Sequence, residues 1–268
     1  RQRQMCIRDR VITAVIALIV FIPLIIVGSW PLMLAAIVLG MVAMSELLLM
    51  KKMFLISFEA IISYLGVAAM IVPQTWLDFL PEQIGRLTLV YVMVALLLLH
   101  TVIRKQRFNF DDAGVLTLGM LYIGMGFNAF TVARAVNFQT LLYGMLIVWL
   151  TDSGAYLFGR QFGKHKLAPN VSPNKTWEGS VLGTVAATVI LAVYLTFFPV
   201  GYDNLAVMIV LTLLLSILGQ FGDLVESALK RYYGVKDSGK ILPGHGGILD
   251  RFDSMLLVLP AMALLGIL

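Results

Sequence analysis

The chain has 268 residues, of which 60% are apolar and only 13% charged, with a formal net charge of +5. Soluble domains carry about 25% charged residues, and a water-soluble fold of this composition would lack the polar groups to cover its outside, so the solvent is a bilayer. The lone cysteine, Cys6, excludes a disulfide framework or a Cys-rich metal site, and the positive charge falls in short clusters between apolar runs, as loops facing an anionic leaflet do, which argues against a nucleic-acid partner.

The first ten residues, RQRQMCIRDR, read like a translated adapter and are taken as a non-native or disordered tail. The apolar run that follows lacks an A-x-A-like cleavage site and is not a signal peptide. A helix needs about 20 residues to cross the hydrocarbon. On that measure nine transmembrane helices are predicted, at about 11–29, 32–50, 54–72, 87–103, 113–133, 138–158, 178–198, 205–224 and 248–268. Pro31, Pro73, Pro81 and Pro199 fall at or near span ends, where a missing amide donor does least harm. The fold class is therefore all-α and polytopic, with 11–268 as a single domain. A cytoplasmic N-terminus puts 18 of the 20 Lys and Arg residues inside and leaves only Arg86 and Arg134 outside. Under that orientation the two long polar segments, 159–177 and 225–247, face the cytoplasm. Long structured loops beside membrane helices are costly unless they line a site, so the catalytic part is placed at about 149–254.

The first constellation runs from Trp149 to Ser180, WLTDSGAYLFGRQFGKHKLAPNVSPNKTWEGS. Asp152 and Ser153 lie inside an apolar run, where an uncompensated charge costs at least about 2.5–3.5 kcal/mol. A metal, a basic partner, a water-filled cavity or a structural hydrogen bond to a neighbouring helix would compensate it. Arg160, Lys164, Lys166 and Lys175 follow, with several glycines, and read either as phosphate binders or as ordinary inside anchors. SPNKTWEGS has the form of a helix start, with Ser172 or Thr176 as the cap.

The second constellation runs from Gly219 to Ser254, GQFGDLVESALKRYYGVKDSGKILPGHGGILDRFDS. Asp223 sits near the end of the eighth span, with Glu226 and Ser227 on the same helical face. Asp250 and Asp253 share a face at the start of the ninth. Carboxylates at one membrane level are the oxygen donors that Mg²⁺ prefers, completed by waters and phosphate oxygens. His245 has no second histidine at ligand spacing and reads as a hydrogen bonder, not a zinc ligand. The Gly246–Gly247 turn lets backbone approach a ligand closely, and Lys230, Arg231, Lys236, Lys240 and Arg251 add five cations. This inventory fits chemistry on a nucleoside triphosphate with a membrane-embedded phosphate acceptor.

SALKRYYGVKDSGKILPGHGGILDRFD, Ser227 to Asp253, resembles the signature of phosphatidate cytidylyltransferases at every defined position: S-x-apolar-K-R, four residues, K-D, then P-x-H-G-G-apolar-x-D-R-apolar-D. The upstream DSGAYLFGRQFGKHKLAPNVSPNKTWEG is similar to a second stretch of bacterial members, departing at Asn174, where Lys is more usual. The first half of the chain matches in hydropathy alone. The resemblance implies transfer of the cytidylyl group of CTP to phosphatidic acid, giving CDP-diacylglycerol and pyrophosphate. It implies Asp223 and Asp250 as principal metal ligands, with Asp253 next, for Mg²⁺ alone or with a second cation. Lys230, Arg231, Lys236 and Arg251 would hold phosphates. Ser227, Asp237, His245, Gly246 and Gly247 would shape the pocket, with Lys175 and Asp152 as weaker candidates. It also implies a homodimer in the inner (plasma) membrane, in contact with membrane lipids, its active site facing the cytoplasm. Two other readings stay open: a CTP-dependent relative acting on another lipid or polyprenol acceptor, and an ion-coupled transporter, against which the concentration of charge in one half of the chain counts.

Overall fold

The computed structural model describes residues 19–78, 80, 81, 84–104, 107–241 and 246–268. The expected tail, residues 1–10, and His245 lie outside them. The helices are α1 (19–27), α2 (Ser29–Met50), α3 (Phe58–Ile71), α4 (Arg86–Ile103), α5 (Phe110–Val136), α6 (Phe138–Phe162), α7 (Trp177–Phe197), α8 (Leu205–Tyr232), α9 (Leu249–Phe252) and α10 (Met255–Leu264). Among the described residues, six helices are long and apolar enough to cross a membrane: α2 and α4–α8. Two of the nine expected spans are shorter. α3 has 14 residues and α10 has 10, so at 1.5 Å per residue each falls short of the roughly 30 Å of hydrocarbon. The described part of the first expected span is helical over 19–27 only.

Two expectations about the polar segments are corrected. The segment 159–177 is not a plain loop: α6 runs on to Phe162, and strands β1 (Lys166–Ala168) and β2 (Ser172–Thr176) pair antiparallel, Lys166 opposite Thr176 and Ala168 opposite Ser172. Ser172 therefore opens a strand, and Thr176 is the cap of α7, its hydroxyl accepting from the Gly179 amide at 3.2 Å. The segment 225–247 is helical in its first third, because α8 continues to Tyr232. Nothing in Glu226–Lys230 breaks a helix, and the i,i+4 pair Glu226–Lys230 supports it. Hydropathy fell there while the helix went on.

The chain forms two compact units. One holds the described residues of Arg1–Thr131 with Asp237–Asp250, the other Val132–Lys236 with Arg251–Leu268. In the first, α3 packs against α2 and α4. Gly119 and Gly124 of α5 let that helix close on Leu47 of α2 and Met70 of α3, and Asn128 donates to the Ile71 carbonyl at 3.3 Å. In the second, α6, α7 and α8 pack on one another and α10 closes on α6 and α8.

The crossing of α6 and α7 is built on glycine. A Cβ on Gly154 would stand 2.9 Å from Cα of Gly183, and one on Gly183 would stand 2.9 Å from Cα of Ala155. Backbone cannot yield as a flexible side chain can, so close small-residue contact is what holds these helices in lipid. Gly183→Leu should cost about 1–3 kcal/mol of stability or more, read as a lower unfolding midpoint of the purified protein. Further in, Thr151 and Ser216 share a hydrogen bond of 2.7 Å, Ser216 donates to Thr184 at 3.1 Å, and Gln220 Nε2 donates to Thr184 at 2.7 Å. Each such interhelical bond in a membrane is worth about 0.6 kcal/mol. The ladder fixes the register of α6, α7 and α8, and ends one turn from Asp223.

Candidate active site

Toward its C-terminal end α8 changes character at Gly219. From there Gly219, Gln220, Gly222, Glu226 and Ser227 are buried. Gly222 is needed for this approach: a Cβ there would lie 2.7 Å from the Asp253 carbonyl and 2.8 Å from Ser254 Cα. α8 can therefore lie directly against the turn that follows α9, which brings Asp253 beside Asp223.

Asp223 accepts from the Ser227 hydroxyl at 3.1 Å through Oδ1 and pairs with Lys175 Nζ at 2.6 Å through Oδ2. The spacing of four residues puts Ser227 one turn on. Lys175 arrives from β2, and its ammonium also reaches the Gln220 carbonyl at 3.5 Å. The hairpin that presents it is stitched to α7 by Glu178, which accepts from the amides of Lys164 and His165 at 3.1 and 3.2 Å and pairs with His165 Nδ1 at 2.6 Å. Asp152, on α6, is exposed and within electrostatic range of Asp223 and Lys175. Asp253 is within range of Asp223, Asp152 and Lys230, and its Oδ1 accepts from the Ser254 amide at 2.7 Å. Lys230 pairs with Glu226, which is 1% exposed.

Three aspartates and Glu226 thus face two lysines in the second unit. With Lys175–Asp223 and Lys230–Glu226 taken as pairs, two carboxylate charges remain. Hard oxygen donors with excess negative charge suit a divalent cation. Among the described residues no three acidic, His or Cys side chains come close enough to hold one by themselves. The donor set therefore fits an ion that completes its shell with waters and substrate phosphate oxygens, the usual habit of Mg²⁺.

The remaining cations divide. Arg231 is exposed and donates through Nε to the Val171 carbonyl of the hairpin turn and through Nη1 to the Val235 carbonyl, both at 3.4 Å. Lys236 and Arg251 are exposed in the second unit.

Asp237, Gly246, Gly247 and Asp250 belong to the first unit. Asp237 is exposed. Asp250 Oδ2 accepts from the Ser238 amide at 2.9 Å, the Ser238 hydroxyl at 2.9 Å and the Gly247 amide at 2.8 Å. Gly246 has φ +83°, a conformation that side chains rarely adopt, and a Cβ there would run into Asp250. The glycines of this turn therefore let the backbone wrap one carboxylate.

Sequence reasoning missed Glu46. It lies on α2 with 0% exposure, accepting from the Ile248 and Leu249 amides and the Ser238 hydroxyl. The signal was present: a lone carboxylate in AMSELLLM carries the same cost at membrane depth that drew attention to Asp152.

Comparison with known proteins adds an independent line. The cytidylyltransferase family matches residues 8–268. A protein of Staphylococcus haemolyticus is 45% identical over 256 residues, covering 96% of this chain and 97% of its own length. Proteins of Staphylococcus aureus (strain COL) and Staphylococcus epidermidis are 44% and 43% identical, each over 96% of this chain and 97% of its own length. All three are named phosphatidate cytidylyltransferase.

Proposed function

The chain belongs to the cytidylyltransferase family, and from that premise we propose that this membrane enzyme transfers the cytidylyl group of CTP to phosphatidic acid, giving CDP-diacylglycerol and pyrophosphate. The observation that carries the reading is the Asp152–Asp223–Asp253 group with Lys175 and Lys230 beside it. A phosphate monoester is already a nucleophile, so the reaction needs no side chain to take a proton. It needs two polyanions brought together, an oxygen of the lipid phosphate in line with the α-phosphorus of CTP, and a pyrophosphate that leaves.

In this reading the phosphatidate oxygen forms the new P–O bond to the α-phosphorus as the bond to the β-phosphate bridging oxygen breaks. Lys175 and Lys230 neutralise phosphate charge close to the acids. Arg231, Lys236 and Arg251, all exposed, receive the outer phosphates. Asp223 and Asp253 hold the divalent cation, with Asp152 supporting them, and Ser227 keeps Asp223 oriented. Asp250 we assign to metal binding from its own unit, with Asp237, His245, Gly246 and Gly247 shaping the turn around it. Mg²⁺ held there would supply charge neutralisation on the phosphates. We further place the chain in the inner membrane with a cytoplasmic N-terminus and a site open to the cytoplasm, on the strength of the distribution of Lys and Arg over the nine expected spans, and as a homodimer on the strength of the family resemblance alone.

The test is pyrophosphate release from CTP by the purified protein in lipid. Release should require both Mg²⁺ and phosphatidate, and excess chelator should abolish it. Pyrophosphate release that ignores phosphatidate, or responds better to another lipid phosphate at fixed CTP, would reject the acceptor assignment.

A further inference from the structure

Glu46 is a fully buried carboxylate on a membrane helix, and its partners are all in one short stretch nearly two hundred residues away. Oε1 accepts from the Ile248 amide at 2.7 Å, and Oε2 from the Leu249 amide at 2.9 Å and the Ser238 hydroxyl at 3.0 Å. Two successive amides leading into α9 are thus gripped by the two oxygens of one side chain. The same Ser238 hydroxyl lies 2.9 Å from Asp250 Oδ2. It has a single proton and serves one carboxylate at a time, while the Ser238 amide stays on Asp250.

The backbone around Glu46 is shaped to the carboxylate. A Cβ on Gly239 would stand 2.6 Å from Oε1, and one on Gly247 would collide with both carboxylate oxygens. Only glycine at these positions leaves room for the acid. The arrangement would be wasteful if Glu46 merely filled space, since burying a carboxylate is costly unless its oxygens are fully engaged.

We propose that Glu46 is a positioning residue for the assigned reaction: its carboxylate clamps the Ser238–Asp250 segment and so fixes the direction in which Asp250 presents itself. This rests on the metal-binding role given above to Asp250. Partners that orient a metal-holding group typically change metal affinity or activity by about 10–100-fold when removed.

Glu46→Gln keeps the shape but replaces one acceptor oxygen by an N–H₂, which would face an amide donor. Two readouts on the full chain in lipid test it. Without CTP or metal, amide hydrogen exchange at Ile248 and Leu249 should accelerate by at least about tenfold. In the enzyme assay, the Mg²⁺ concentration for half-maximal rate should rise about 10–100-fold with the KM for CTP little changed; a loss of folded protein alone would lower the rate without moving the Mg²⁺ dependence. Unchanged protection of these amides, or an unchanged Mg²⁺ dependence, overturns the proposal. If Glu46→Gln fails to fold, Gly239→Ala displaces the carboxylate without removing it, and the same two readouts decide. If the wild-type chain makes no CDP-diacylglycerol, the functional reading falls by itself, and the exchange data alone then judge whether Glu46 clamps the turn.

Discussion

Asp223→Asn should lower CDP-diacylglycerol formation by about 10²–10³-fold or more, while the protein still folds and inserts. The size follows from position. Asp223 is engaged by the Lys175 ammonium at 2.6 Å, the Ser227 hydroxyl at 3.1 Å, and the fields of Asp152 and Asp253. Asparagine is isosteric and still accepts from Ser227, so packing on α8 is kept. It removes one of the negative charges that favour a divalent cation, and leaves Lys175 facing a neutral amide. Losing one preorganised electrostatic element of this kind typically costs two to three orders of magnitude in rate. The fold should tolerate the change, because the Asp223 and Lys175 side chains are 29% and 20% exposed and such partly solvated pairs contribute little stability. Pyrophosphate release under saturating Mg²⁺, beside the unfolding midpoint, measures both quantities; turnover within a few-fold of wild type would remove Asp223 from the metal-holding group.

Asp250→Asn should be nearly as damaging, for a different reason. One oxygen of Asp250 accepts from the Ser238 and Gly247 amides at 2.9 and 2.8 Å and shares the Ser238 hydroxyl, 2.9 Å away, with Glu46. Hydrogen bonds to a charged acceptor contribute about 1.5–3 kcal/mol, against about 0.5–1.5 kcal/mol for neutral pairs. The neutral amide therefore weakens the whole turn even when its oxygen faces the donors. Turnover should fall by about 10²-fold or more, and exchange of the Ser238 and Gly247 amides should quicken. Asp223→Asn should leave those two amides as protected as in wild type, because its partners lie in other segments. A variant at Asp250 with a loosened turn and normal turnover would show that the acid serves the backbone and not the reaction.

Much of this was legible in the residues. The composition required a bilayer, and the described residues form six helices long and apolar enough to cross one. The signature from Ser227 to Asp253 pointed to the family that the comparisons then found across the chain. The i,i+4 spacing put Asp223 and Ser227 on one helical face, where the Ser227 hydroxyl donates to Asp223. Hydropathy was a poorer guide to ends. It stopped the eighth span at 224, where α8 continues to Tyr232, and it gave whole spans to α3 and α10, which are 14 and 10 residues long. Hydropathy measures what lipid accepts, whereas helix ends depend on caps, breakers and i,i+4 pairs that it does not weigh.

The sequence by itself determined the class of solvent, the helical architecture and the family, because each is written in composition or in local spacing. Only the tertiary structure decided who pairs with whom. Lys175, a weak candidate in the sequence, is the direct partner of Asp223, and Glu46, unnoticed in its apolar run, grips amides at Ile248 and Leu249. These contacts join residues that are 48 and about 200 positions apart. No periodicity encodes such a meeting; it is set by how closely glycine-lined helices and turns can approach, and that is a property of the packed chain.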